Sequence, residues 1–186
     1  MRRLSADNAQ GQNLLTRVNA VNASGANKDR VRVLTGINFS NVGPEWAAKA
    51  ITQLETDLKN GAIGIGEVGK GFGLFTRKPD GSLLKLDDPQ LDAFWEACAR
   101  LKTVAFIHTA EPPEFFSPFD MHNERWLELS LFSDRRHFAP GDVKFDDLMK
   151  QRDNLFRKHP QTKFVAAHFG WCAQDLKKCA TLLDTF

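Results

Sequence analysis

The chain has 186 residues, 42% of them hydrophobic, which is enough for one sizeable core and too apolar for a disordered segment. A formal charge of +2, with acids and bases interspersed and no basic run longer than a pair such as Arg135-Arg136, argues against a nucleic-acid surface and for a small-molecule partner. Three cysteines without CxxC spacing, no signal-peptide pattern after Met1 and no run long enough to span a bilayer lead us to expect a single domain over 1–186, off the membrane and in the cytoplasm.

Over residues 1–30, Leu14, Leu15, Val18 and Val21 recur at roughly helical spacing, so a short amphipathic helix followed by a loop is predicted. Beyond Arg30 the chain repeats a pattern of apolar run, turn and longer amphipathic stretch, as βαβ units on a parallel sheet do. Strands are predicted at 31–39, 62–67, 103–108 and 163–168. Helices are predicted at 44–60, closed by Gly61, at 88–101, opened by Asp-Pro, at 142–159, closed before Pro160, and from about Gln174 to the end. This is an α/β pattern; periodicity alone leaves a β/α barrel and a doubly wound sheet equally open, and four clear strands would make only part of a barrel.

Parallel sheets bind ligands at the carboxyl ends of their strands, and three of the four runs end in Glu67, His108 or His168. Period-two alternation places His108 with Val104 and Phe106, and His168 with Phe164 and Ala166. By the same parity Glu67 shares a face with Ile63 and Ile65, leaving Gly64 and Gly66 on the other side, where a helix could pack closely. Two imidazoles and a carboxylate suit zinc, with iron or manganese as alternatives. A lone histidine after a strand is more often a hydrogen-bonded core residue, so it is the repetition at equivalent strand ends that points to a metal. His159, before Pro160 at a helix end, and His122 and His137, in a polar loop, carry no such pattern.

Gly64, Gly66 and Gly69 match G-x-G-x-x-G, and Gly64 to Lys70 begins a Walker A pattern. Two of the glycines lie inside the strand, Gly71 replaces the Ser or Thr that binds magnesium, and residues 71–81 are unsuited to a helix, so nucleotide binding is disfavoured. The long segment 109–142, rich in Pro and Phe, reads either as a lid or substrate wall with Arg125 or Arg135-Arg136 gripping a carboxylate, or as a short helix over 123–131 whose Arg125 pairs with nearby acids.

Four stretches, Gly61-Ala-Ile-Gly64, Phe106-Ile-His108-Thr-Ala-Glu-Pro-Pro, Phe119-Asp-Met-His-Asn-Glu-Arg-Trp126 and His159-Pro-Gln-Thr-Lys-Phe-Val-Ala-Ala-His168-Phe-Gly, resemble in order and spacing the amidohydrolase-related family of metal-dependent hydrolases and nonoxidative decarboxylases. The resemblance covers 31–186 and implies part of a TIM-type barrel, parallel strands three to six with flanking helices, in which His108 and His168 bind metal on the fifth and sixth strands. Glu67 falls on the fourth strand, where such barrels often place a ligand, although many relatives carry Lys in that strand and Gly66-Glu67-Val-Gly69 looks more like TatD-type nucleases. Lys70, Glu111, Asn123, Arg125 and Trp171 are the residues expected to contact substrate. The family's His-x-His pair and its eighth-strand Asp are absent. A truncated chain, inactive alone and prone to self-association through open strand edges, is therefore expected. The reaction expected is hydrolysis of a C–N or ester bond by metal-activated water, with decarboxylation or a non-catalytic binding module as alternatives.

Overall fold

The computed structural model describes residues 4–5, 12–23, 25 and 32–186. Five strands, β1 (Leu4–Ser5), β2 (Val33–Thr35), β3 (Ala62–Val68), β4 (Val104–Ile107) and β5 (Lys163–Ala166), lie side by side in chain order, each parallel to its neighbour. The connecting helices are α1 (Gln12–Ala23), α2 (Trp46–Lys59), α3 (Asp92–Arg100), α4 (Trp126–Leu131), α5 (Phe145–Lys158) and α6 (Leu176–Thr185). This is the α/β arrangement read from the sequence, parallel strands with flanking helices as in part of a TIM-type barrel. No described helix is long and apolar enough to cross a membrane.

The core forms because α2, α3 and α5 each bury one stripe against the same face of the sheet. Trp46 and Leu54 of α2, Phe94 and Trp95 of α3, and Leu155 and Phe156 of α5 meet Ile65, Ala105 and Ile107 from the strands, with Phe164 and Ala166 of β5 packed against them. Ile65, Ala105 and Phe164 stand abreast in the ladder, and the Phe164 ring meets both Trp95 and Phe156, at 5.7 and 4.9 Å. Burying each of these large side chains contributes about 1.5–3 kcal/mol. The opposite face carries the half-buried Val104 and Phe106, and Val165 is 38% exposed there.

Several boundaries differ from expectation, each for a local reason. β1 was not anticipated: two residues are too few to show periodicity, and their pairing with Val33 and Leu34 defines them as a strand. The predicted loop after α1 lies largely outside the described residues, as does Val31. Of the predicted strand 31–39 only 33–35 stays in the ladder, because the Asn38 side chain accepts from Ser40 N at 2.9 Å and its carbonyl from Trp46 Nε1 at 2.7 Å, turning the chain towards α2. Helix α5 starts at Phe145 rather than Asp142, since Asp142 instead accepts from Ala139 N at 2.7 Å beside Gly141, whose φ is +94°. Before α3, Pro89–Leu91 forms a 3₁₀ turn capped by Asp88, which accepts from Gln90 N. No helix follows Gly69, so the phosphate-loop pattern has no helix N-terminus to act with.

The segment 109–142 is a folded insertion. It contains 3₁₀ turns at Pro113–Phe116 and Ser133–Arg135 on either side of α4, and Phe116 closes it onto α5 through Phe145, 5.5 Å away.

Candidate metal centre

Glu67 reaches the carboxyl rim through an irregularity in β3. The register against β4 shifts between Ile65 and Val68, so that Val68 lies opposite Ile107 with both on the helix-packed face. The extra residue turns Glu67 to the other face, beside His108. The expected parity of Glu67 with Ile65 is therefore corrected, since Ile65 points into the helix layer. Gly64 also differs from expectation: a Cβ there would lie 2.4 Å from the Val104 carbonyl oxygen, so the close neighbour is strand β4 rather than a helix. His108 follows β4 directly, and its N–H donates to Val68 O at 2.7 Å, which ties the ends of β3 and β4 together. Gly69, with φ of +96°, lets this crossing happen, because a Cβ would stand 3.1 Å from His108 O.

His168 arrives by a different route. β5 ends at Ala166, and Phe164 and Ala166 face the helices, so strand parity would have sent His168 into the core. Instead the chain enters a left-handed turn, with φ of +53°, +57°, +59° and +56° at His168, Phe169, Gly170 and Trp171. Each non-glycine residue in that conformation costs about 1–2 kcal/mol. The turn carries His168 to the rim, where its ring centroid is 4.4 Å from that of His108.

Three donor atoms now converge. His168 Nε2 lies 3.2 Å from His108 Nδ1 and 3.4 Å from Glu67 Oε1, and His108 Nδ1 lies 3.6 Å from Glu67 Oε1. Tetrahedral coordination with bonds of about 2.0–2.2 Å sets ligand atoms about 3.3–3.6 Å apart, so the triangle has the edges that a zinc-sized ion requires. It is the one cluster of at least three His, Cys, Asp or Glu donors among the described residues that could hold a metal.

Electrostatics favour the neutral, lone-pair form of His108. Burial pushes its pKa down and His168 adds to this; Glu67 opposes, Lys70 pushes further down and Glu111 opposes. Its Nε2 is buried without a hydrogen-bond partner among the described residues; with the Nδ1 lone pair facing the cluster, Nε2 is the nitrogen that carries the neutral ring's proton.

Of the residues expected to contact substrate, Trp171 stands beside the centre, its ring 5.0 Å from His168 and 6.2 Å from His108. Lys70 and Glu111 form an ion pair at 3.1 Å, near enough for His108 to feel both charges. Asn123 and Arg125 make their recorded contacts within the insertion. Asn123 donates to Glu114 O and Pro118 O at 2.8 and 3.0 Å, while Arg125 and Arg135 hold Glu128 at 2.9 and 2.7 Å and keep its carboxyl below the usual range. Arg136 donates to Leu129 O and lies over the Phe119 ring at 3.7 Å. Helix α4 and the Arg125–Glu128 pair are the features that the short-helix reading of this segment names. Sequence reasoning missed the turn that delivers His168; its one visible signal is Gly170, two residues on.

The chain matches the family model for amidohydrolases over residues 18–185. No curated protein matches it. Among solved structures it is similar to the 2,6-dihydroxybenzoate decarboxylase from Rhizobium, at 18% identity and a TM-score of 0.48 over 86% of this chain and 46% of that one. A structure of 2,6-dihydroxybenzoate decarboxylase complexed with 2,6-dihydroxybenzoate gives 16% identity and a TM-score of 0.48, covering 90% and 48%. An amidohydrolase II gives 16% and 0.46, covering 98% and 55%. The chain spans about half the length of these structures. Because the family match runs over 18–185 and takes in Glu67, His108 and His168, the chain belongs to the amidohydrolase family.

Proposed function

We propose that this chain carries the metal centre of a divalent-metal-dependent hydrolase acting on a small molecule, cleaving a C–N or ester bond, with zinc as the ion. The observation that carries the reading is the convergence of Glu67, His108 and His168, whose donor atoms all lie within 4.8 Å of one another. Bound zinc supplies a water with a pKa of about 7, a nucleophile near neutral pH. The chain's own residues orient and shield. Glu67 would offer a carboxylate oxygen and the two imidazoles a ring nitrogen each, and the Trp171 indole forms an apolar wall beside both rings.

One observation favours nonoxidative decarboxylation on the same site. The Lys70 ammonium is half exposed and is held beside the centre by an ion pair with Glu111, so a substrate carboxylate can replace that partner. Release of carbon dioxide from aromatic acids, against release of amine or alcohol from amides and esters, separates the two.

Metal analysis of the purified chain is the first test. About one zinc per chain is expected, with the affinity falling at least tenfold in His108→Ala, His168→Ala and Glu67→Ala. A folded chain that retains no divalent metal would falsify the proposal.

A further inference from the structure

Glu67 and His108 are fixed by the strand ladder; His168 is not, and something must hold its left-handed turn in place. We propose that Arg152, on α5, is a positioning residue for the metal centre: its guanidinium pins the turn 168–171 and so aims the His168 imidazole at Glu67 and His108. This rests on the reading of those three side chains as ligands.

Arg152 is 2% exposed, and a guanidinium taken out of water must find partners for its fork of N–H groups. Two of them, Nε and Nη2, donate to the same oxygen of Asp153 at 2.9 and 2.7 Å. That leaves Nη1, which donates to Gly170 O at 2.7 Å and also approaches Met149 Sδ at 3.4 Å. One edge is therefore neutralised by its neighbour and the other is directed at the turn.

Gly170 is shaped for this contact. It is buried, and a Cβ there would stand 3.4 Å from Arg152 Nη1 and 3.3 Å from Leu182 Cδ2. The far end of the turn is tied separately, as Trp171 Nε1 donates to Thr109 O, next in sequence to His108. Helix α5 thus holds the turn from one side and the segment after β4 holds it from the other, with His168 at its start. The guanidinium meets this stretch at Gly170 O, two residues beyond His168, so its influence on the centre would pass through His168.

Cobalt(II) titration, read from the visible ligand-field bands with zinc competition, tests this on the full chain as wild type, Arg152→Lys, His168→Ala and the double variant. Circular dichroism and melting without metal report folding. Arg152→Lys is expected to fold, to lose about tenfold in cobalt affinity and to shift the bands. In the His168→Ala background the lysine should cause no further loss. An unchanged affinity and spectrum in folded Arg152→Lys, or a second full loss in the double variant, overturns the proposal and leaves the metal reading intact; a wild-type chain that binds no cobalt overturns both. Should Arg152→Lys fail to fold, Asp153→Asn decides, because Asp153 is 35% exposed and its loss frees one edge of the guanidinium. A smaller fall in affinity is expected there, and no change overturns the proposal.

Discussion

Cys98 lies on α3 with no solvent exposure, and burial pushes its thiol up to about 12. An unfolded-chain thiol ionises at about 8.5. Below that pH both states keep the proton and the thiol's contribution to stability is fully present; as pH rises towards 12 the unfolded chain ionises first, so stability falls across that window. Alkylation at pH 8 followed by mass spectrometry should leave Cys98 unmodified in the native protein and modified in urea. Labelling at equal rates in both states would contradict the burial. At this scale the sequence was informative about chemistry: residue types at strand ends offered Glu67, His108 and His168, which the structure brings together, as candidate donors, because a donor's capacity to bind metal belongs to the side chain itself. Their mutual distances do not.

Between β3 and β4 the decisive feature is an absent side chain. A Cβ on Gly64 would sit 2.4 Å from the Val104 carbonyl oxygen and 2.5 Å from Val104 Cγ2, and a backbone atom cannot move aside cheaply. Gly64→Ala is therefore expected to force the strands apart and to destabilise the protein by about 1–3 kcal/mol, seen as a lower urea midpoint. It should also weaken metal binding, since Glu67 is held against His108 across the same pair of strands. A midpoint equal to that of wild type would show that the strands have room to spare. The element order was legible in the sequence, because helix and strand periods are local properties. The shift between Ile65 and Val68 was not, because a bulge is set by the neighbouring strand.

Taken whole, the molecule has one sheet face covered by α2, α3 and α5 and a second face on which Val165 is exposed. Among the described residues β5 pairs with β4 alone, leaving a free row of backbone donors and acceptors. Such edges recruit further strands. We expect concentration-dependent self-association at tens of micromolar, measurable by sedimentation velocity, and a lysine introduced at Val165 should reduce it. A strictly monomeric wild-type protein would count against that edge as the contact.

Composition and periodicity by themselves determined the parallel α/β plan, the approximate bounds of α2, α3 and α5, and three candidate donors at or just beyond the carboxyl ends of strands. Only the tertiary structure decided which way those donors point. Glu67 changes face because β3 slips against β4, and His168 leaves the core side because its turn is left-handed and held by Arg152 and Trp171. The partners in these contacts lie far along the chain, up to 62 positions apart for Trp171 and Thr109. A local pattern records the period of a segment, whereas face and register are set by what the segment packs against.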